Sequence, residues 1–283
     1  MSKKRVRRAF RVFLLVGIFS PAFSYAQISL NITADTAASP PDLNVRIVVA
    51  NRGKESAHDI QITLKKGSET MALPARRLLA PNASTEVQTN LSIEETMPGR
   101  HPLFVTVGYA DANGYEFSAI LCTTFFIEKD TPLEVFGTMR TEPLQENGQL
   151  YLQLKNVAQE EVSFGLTIFT PRELSVGAYE REVLLAPERE TSFEVPLRNF
   201  SALPGSRYPV YAVLEYEKED GHYTNVISGQ LEITVPISFF TRYRSWMLGI
   251  AGVLFLIGIL LPIIRSIRSP GKGRKGISLD GKQ

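Results

Sequence analysis

One cysteine, one tryptophan and three histidines are all that the 283 residues hold of these types. A lone Cys122 excludes an intramolecular disulfide framework, even in an oxidising compartment. Within SAILCTTFFI it falls into strand-like alternation and has no basic neighbour in sequence, so it reads as a buried, inert thiol rather than a nucleophile. His58, His101 and His222 stand in unrelated segments, without the His-x-His or His-Glu-x-x-His spacing that sets two imidazoles on one zinc. There is no Gly-x-Ser-x-Gly elbow either. The sequence thus offers no catalytic residue, no cofactor-binding residue and no metal-ligand set, and a non-enzyme is expected.

Excess charge of one sign also looks absent, because the formal net charge is only +2. The total conceals a division. Residues 27–241 carry 17 Lys and Arg against 28 Asp and Glu, a net charge of −11, and residues 129–241 alone carry 9 against 17. Such an acidic body excludes nucleic acid as a partner, since Lys and Arg contacts to phosphate supply most of that affinity.

The compensating positive charge sits at the two ends. Lys3, Lys4, Arg5, Arg7, Arg8 and Arg11 precede an apolar run from Val12 to Phe23, then the small residues Ser24 and Ala26. Residues 1–26 therefore read as a secretory signal peptide cut before Gln27. The alternative, an uncleaved anchor, suits the run less well, because Pro21 interrupts it and it falls short of the roughly 20 residues a span needs. Residues 246–264, WMLGIAGVLFLIGILLPII, are 19 residues without a charge, which at about 1.5 Å each would cross about 28 Å of hydrocarbon. One transmembrane helix is expected there, with Trp246, Tyr243, Phe239 and Phe240 as an interfacial aromatic belt and residues 237–245 as the linker leading in. The tail, residues 265–283, holds Arg265, Arg268, Lys272, Arg274, Lys275 and Lys282 against the lone Asp280, so it is expected in the cytoplasm and the body outside. Its GKGRKG lacks the following Ser or Thr of a phosphate loop and reads as a basic tail on anionic headgroups.

Between these ends the chain repeats itself. RRLLAPNAST, from Arg76, returns as REVLLAPERET, from Arg181, with Pro81 and Pro187 at an offset of 106. Pro98 and Gly99 match Pro204 and Gly205 at the same offset, Tyr109 and Gly114 match Tyr216 and Gly221 at 107, and Asn51 matches Asn156 at 105. Ile60, Ile62 and Leu64 fall on Phe164, Leu166 and Ile168 at 104. An offset drifting by single residues is the pattern of two copies of one fold with small loop changes.

Each copy alternates apolar and polar residues between turn signals: Val45, Ile47 and Val49 before Asn51-Arg52-Gly53, and Val105, Val107 and Tyr109 before Asp111-Ala112-Asn113-Gly114. Alternation of this kind predicts strands with one face in a core. In the first copy strands are predicted near 27–33, 43–50, 58–65, 76–79, 84–92, 102–110 and 115–127. Seven strands in about 100 residues is the pattern of an immunoglobulin-like sandwich. The fold class is therefore all-β, with two tandem immunoglobulin-like β-sandwiches at 27–128 and 129–236 plus one C-terminal transmembrane helix.

Asn51-Arg52-Gly53 with Ala57 and Ile60, then LLAP, Pro98-Gly99 and Tyr109 through Gly114, resembles the CARDB-like family of prokaryotic Ig-like domains over roughly residues 27–235. The second copy departs from that pattern, with Ala158 of Asn156-Val157-Ala158 in place of the glycine and Glu219-Asp220-Gly221 in place of Asp-x-Asn-Gly. The resemblance implies an extracytoplasmic sandwich used for adhesion, spacing or assembly, and it transfers no catalytic residue.

Polar and aromatic clusters are the candidates for binding. Glu215, Glu217 and Glu219 alternate toward Asp220 and have the oxygen chemistry calcium favours, but three carboxylates on one strand face read first as solvated. A turn accounts for Asp111 and Asn113. Asn31, Asn82, Asn90 and Asn199 each begin an Asn-x-Ser/Thr triplet, a glycan acceptor only in some hosts. The expected function is a non-catalytic, membrane-anchored envelope protein whose paired domains mediate protein interaction or scaffolding. One variant is an auxiliary subunit of a membrane transport or surface-assembly complex, with Gly249, Gly252 and Gly258 allowing close helix approach; the alternative for these glycines is simple bilayer packing, since no Gly-x-x-x-Gly is present. The alternative is a surface-glycan binding module using Tyr208, Tyr211, Tyr216 and Tyr223 as an exposed platform, and exposure of those rings discriminates the two.

Overall fold

The computed structural model describes residues 28–94, 96–128, 132–176, 180–218, 221–235 and 239–268. The expected signal peptide and most of the basic tail lie outside these residues. The β-structure up to Thr234 belongs to one unit, and the chain from Val235 onward to a second.

The first repeat folds into two facing sheets. One contains β1 (Leu30–Ser39), β2 (Asp42–Asn51) and β6 (Ser84–Ser92), in the order β1-β2-β6. The other is built on β3 (Ala57–Lys66), which holds the short β4 (Glu69–Ala72) and β5 (Arg76–Leu79) on one side and β7 (Gly99–Ala110) on the other, with β8 (Glu116–Ile127) beyond. The alternating apolar residues drive this arrangement: Leu43, Val45, Ile47 and Val49 of β2 are buried against Ile60, Ile62, Leu64, Leu103, Val105 and Val107 in a single core. Each predicted strand of this copy is present. β4 is an addition, and β1 continues to Ser39 through Thr33-Ala34-Asp35-Thr36, where no large apolar residue marks the strand for a pattern reading.

The second repeat builds the same two layers. β9 (Val135–Thr141), β10 (Asn147–Asn156), β12 (Leu174–Ser175) and β14 (Glu190–Asn199) form one sheet, in the order β12-β14-β10-β9. β11 (Val162–Phe169), β13 (Glu180–Leu185), β15 (Arg207–Lys218) and β16 (Gly221–Glu232) form the other, in the order β13-β11-β15-β16. Leu150, Leu152, Leu154, Phe164, Leu166, Ile168, Val210, Ala212 and Leu214 fill a separate core. The fold is thus all-β and sandwich-like, in agreement with an immunoglobulin-like arrangement of layers.

Atomic detail shows why the repeat recurs in these letters. Asn51, wholly buried, donates from Nδ2 to the Glu55 carbonyl (2.7 Å) and the Leu79 carbonyl (3.0 Å), while its Oδ1 accepts from the Gly53 amide (2.9 Å). Asn156, also wholly buried, donates to the Glu160 (2.8 Å) and Leu185 (2.9 Å) carbonyls and accepts from the Ala158 amide (2.9 Å). Each asparagine pins the end of its strand to the leucine of LLAP, where bare backbone polar groups would otherwise be buried. The proline then opens a turn. The Ala83 amide donates to the Ala80 carbonyl (3.1 Å) with Asn82 at φ 60°, and Arg189 donates to Ala186 (3.3 Å) with Glu188 at φ 55°. Proline second and a positive φ third is the type II arrangement.

The last described element is α1 (Phe239–Arg268), a 30-residue helix over the segment expected to span. Among the described residues no helix is long and apolar enough to cross a membrane. The structure thus supports a helix at this position and leaves the spanning part of the expectation unsupported.

Candidate functional site: the junction between the sandwiches

Two strands are buried on both faces, and they define where the sandwiches meet. In β8, Phe125 and Ile127 face the first core, whereas Ser118, Ile120 and Cys122 are buried on the opposite face. In β15, Val210, Ala212 and Leu214 face the second core, whereas Tyr211 and Val213 are buried on the other side. Ile120, Cys122, Tyr211 and Val213 form a third apolar cluster with Phe104, Phe169 and Val226 packed against it. Phe104 meets Phe169 edge to face at 5.0 Å. Burial pushes the Cys122 thiol up to about 12, so it is an inert member of this contact.

At one end of the cluster, the Glu173 carboxylate is wholly buried and accepts from the Ser118 amide (2.5 Å) and the Ser118 hydroxyl (2.8 Å). The Arg172 amide donates to the same Ser118 Oγ (3.0 Å), and the Arg172 guanidinium reaches Glu116 at 3.2 Å. A buried charge is tolerated only where hydrogen bonds satisfy it, and here the donors come from the other sandwich.

At the opposite end, β16 runs parallel to β7 with His222 level with Gly99. The His222 amide donates to the Pro98 carbonyl (2.9 Å), and its Nδ1 lies 2.8 Å from the Arg100 carbonyl. A carbonyl only accepts, so this nitrogen carries the proton. Gly99 is required by this approach: its φ is 126°, and a Cβ there would stand 2.1 Å from the His222 carbonyl oxygen. The His222 ring stacks on His101 at 4.2 Å with an interplanar angle of 15°, and His101 stacks on Phe125 at 5.5 Å. His101 Nε2 lies 2.7 Å from the Met97 carbonyl, and Glu215 Oε1 lies 3.6 Å from His222 Nε2. Burial, reinforced by the facing His222, holds the His101 imidazole down at about 4. Burial likewise raises the Glu215 carboxyl, opposed by His222 and Lys65.

The structure corrects several sequence readings. His101 and His222, set apart as unrelated, stack on each other, while His58 stays on β3 outside the pair. Glu215 is drawn into the junction and only Glu217 remains on the exposed face; Glu219 and Asp220 lie outside the described residues. Tyr208, Tyr211 and Tyr216 are buried, and Tyr223 packs half-buried on Tyr216 at 4.8 Å, so these rings form no exposed platform. Their hydroxyls are used internally: Tyr208 accepts from the Leu203 amide and Tyr216 from the Glu134 amide, each at 3.0 Å. Asp111 Oδ1 accepts from the Asn113 (2.8 Å) and Tyr115 (2.9 Å) amides, the turn role expected of it. Among the described residues no three His, Cys, Asp or Glu side chains converge as a metal site. Asn31, Asn82 and Asn90 are exposed, but the Asn199 amide is engaged with the Gln145 carbonyl (2.9 Å) and the Ala202 amide (2.7 Å).

The histidine pair left no mark in the sequence, because His101 and His222 are not equivalent positions of the repeat. The two-faced burial of β8 did leave one: SAILCTTFFI is too continuously apolar for a strand with one wet face.

No known family profile matches the chain, and no curated protein matches it. Among solved structures, the α-2-macroglobulin of Salmonella is similar over 74% of this chain at 11% identity and a TM-score of 0.31, and this chain spans only 16% of its length. A protein of unknown function from Porphyromonas gingivalis W83 is similar over 72% of this chain and 99% of its own, at 12% identity and a TM-score of 0.27. The YadV chaperone is similar over 72% and 99%, at 10% identity and a TM-score of 0.29. At these scores none of the three bears on what this chain does.

Proposed function

We propose that this is a single-pass, non-catalytic envelope protein whose paired CARDB-like sandwiches form one interaction module held at its own membrane by α1. The observation that carries the reading is the exposure of that helix. Val253, Leu254, Phe255, Leu256 and Ile257 follow one another and are each exposed, and the four steps of about 100° between them pass round the whole circumference. A helix apolar on every side needs an apolar surrounding, since exposed apolar surface costs about 25 cal/mol per Å² in water. The uncharged sequence continues through Pro262, Ile263 and Ile264 to Arg265, giving the length a bilayer requires. On this reading the basic residues from Arg265 onward are cytoplasmic and the acidic sandwiches lie on the other side.

The junction contributes rigidity. Two sandwiches fixed by an apolar cluster, a buried carboxylate and a backbone pairing present one surface of fixed geometry, which lowers the ordering cost of binding a partner. The partner on this reading is a protein of the same membrane or envelope. The glycan alternative loses its main support with the burial of the tyrosines.

The test uses the full chain in its native membrane. It should resist alkaline extraction and bring down a stoichiometric partner in mild detergent, and replacing α1 by an unrelated apolar span shows whether the helix takes part in that contact. Release by alkali, or retention of wall polymer in place of a protein, would overturn the reading.

A further inference from the structure

The sandwiches lie side by side, and this decides which loops share an end. From the level pair Gly99 and His222, β7 and β16 run in the same direction. Ala110 is eleven residues beyond Gly99 and Ile233 eleven beyond His222, about 36 Å along each strand. The hairpin tip 111–115 of the first sandwich is therefore level with the point where the chain leaves the second. Side-chain contacts agree: Glu116 pairs with Arg172, Ser118 holds Glu173, and the Glu173 carbonyl accepts from the Phe200 amide (2.9 Å). The exit itself is fastened to the same end, with the Gly205 amide on the Ile233 carbonyl (2.7 Å) and the Thr234 amide on the Leu144 carbonyl (2.8 Å).

This end carries apolar side chains that no core claims. Tyr115 is 68% exposed, Phe200 61% and Leu203 37%, each on a loop. Charge here is mostly spent internally. Arg172 pairs with Glu116, Arg207 with Glu232, and Asp111 holds turn amides, while Arg198 lies over the Phe200 ring at 5.0 Å. Between Thr234 and Phe239, where α1 begins, the chain reaches at most about 18 Å. If α1 enters a bilayer, this end is bound to stay near its surface.

We propose that loops 111–115 and 200–203 form a second membrane contact, seating Tyr115, Phe200 and Leu203 in the lipid–water interface beside the exit to α1. Aromatic rings with a polar margin are favoured at that depth, and a guanidinium over Phe200 places a cation at headgroup level. The contact fixes the tilt of the module against its membrane, which the short linker alone does not do. The inference rests on the membrane-spanning reading of α1.

The experiment places an environment-sensitive fluorophore on single introduced cysteines in the full chain, reconstituted in phosphatidylcholine nanodiscs with or without brominated acyl chains. The positions are Phe200→Cys, Phe255→Cys within α1, and Leu184→Cys. Leu184 is 64% exposed but pairs with Ser163 at the level of Glu217 and His222, the far end of the module. Brominated lipid is expected to quench positions 200 and 255 severalfold over position 184. Quenching at 255 without quenching at 200 would overturn this inference and leave the span standing. Loss at both would remove the span and the inference together. A label at 200 shielded from aqueous iodide yet untouched by bromine would mean that a second copy of the chain covers the loop, and would also overturn it.

Discussion

Replacing Asn51 by alanine is expected to be among the most destabilising single changes in the first sandwich. The side chain is wholly buried and satisfies three backbone groups, the carbonyls of Glu55 and Leu79 and the amide of Gly53. Each group left unpaired in the interior costs about 1 to 3 kcal/mol, and partial relaxation of the 52–55 turn toward water recovers some of it. A loss of about 3 to 5 kcal/mol follows, a large part of the roughly 5 to 15 kcal/mol that holds a domain together. Asn51→Asp separates packing from hydrogen bonding. It keeps the volume and the bond from Gly53 but turns an acceptor toward two carbonyl oxygens. As a buried carboxylate it should be worse than alanine at neutral pH, and should recover on acidification as the new carboxyl takes up a proton and regains a donor. The assay is urea unfolding followed by far-ultraviolet circular dichroism, since the only tryptophan, Trp246, is on the helix. Asn156→Ala should match Asn51→Ala within about 1 kcal/mol, because its bonds are the same in kind. A cost below about 1 kcal/mol for either alanine, or an aspartate indifferent to pH, would refute the claim that these asparagines fasten LLAP to the strand end.

The remaining predictions concern the junction and the repeated turn. His101 titrates near 6.5 when unfolded but at about 4 in place, so between those values the unfolded chain binds more protons. Its contribution is therefore complete above pH 6.5 and declines as the pH falls toward 4. The raised carboxyl of Glu215 acts in the opposite sense, and Lys65 and Lys66 add nearby positive charge. His101→Phe, which keeps a ring between His222 and Phe125, should flatten the acid limb of a stability–pH curve; an unchanged slope would show that the stack is not its source. Gly99→Ala, with its Cβ 2.1 Å from the His222 carbonyl, should cost about 2 kcal/mol or more and speed hydrogen exchange at the His222 amide, leaving the Asn51 corner protected. Glu188, at φ 55° where the first copy has Asn82, should be improved by about 0.5 to 1 kcal/mol in Glu188→Asn, with Asn82→Glu losing a similar amount in the same unfolding assay.

How the sandwiches face each other shapes the functional reading. Had they been joined only through the residues after Ile127, each would present its own surface. The third apolar cluster, Glu173 in the grip of Ser118, and the parallel contact at Gly99 make a single body with a defined end. Phe200 and Tyr115 come from different repeats and are brought to one end by that arrangement alone.

What the sequence by itself determined is local and periodic. Alternation of Val45, Ile47 and Val49 requires a strand with one buried face, LLAP with its drifting offset requires the same turn twice, and the uncharged apolar run from Trp246, which has no strand-like alternation, lies within a helix. These follow from the backbone's two periods and from the few residues that can end a strand, so they are written within short windows. What only the tertiary structure decided is which distant residues meet. His101 against His222, Glu173 against Ser118 and Tyr211 against Cys122 are separated by tens of residues and differ between the two copies, so neither period nor repeat refers to them. Their pairing is settled by the outer faces of β8 and β15 being too apolar to remain in water, and by a glycine at 99 that lets one backbone approach the other.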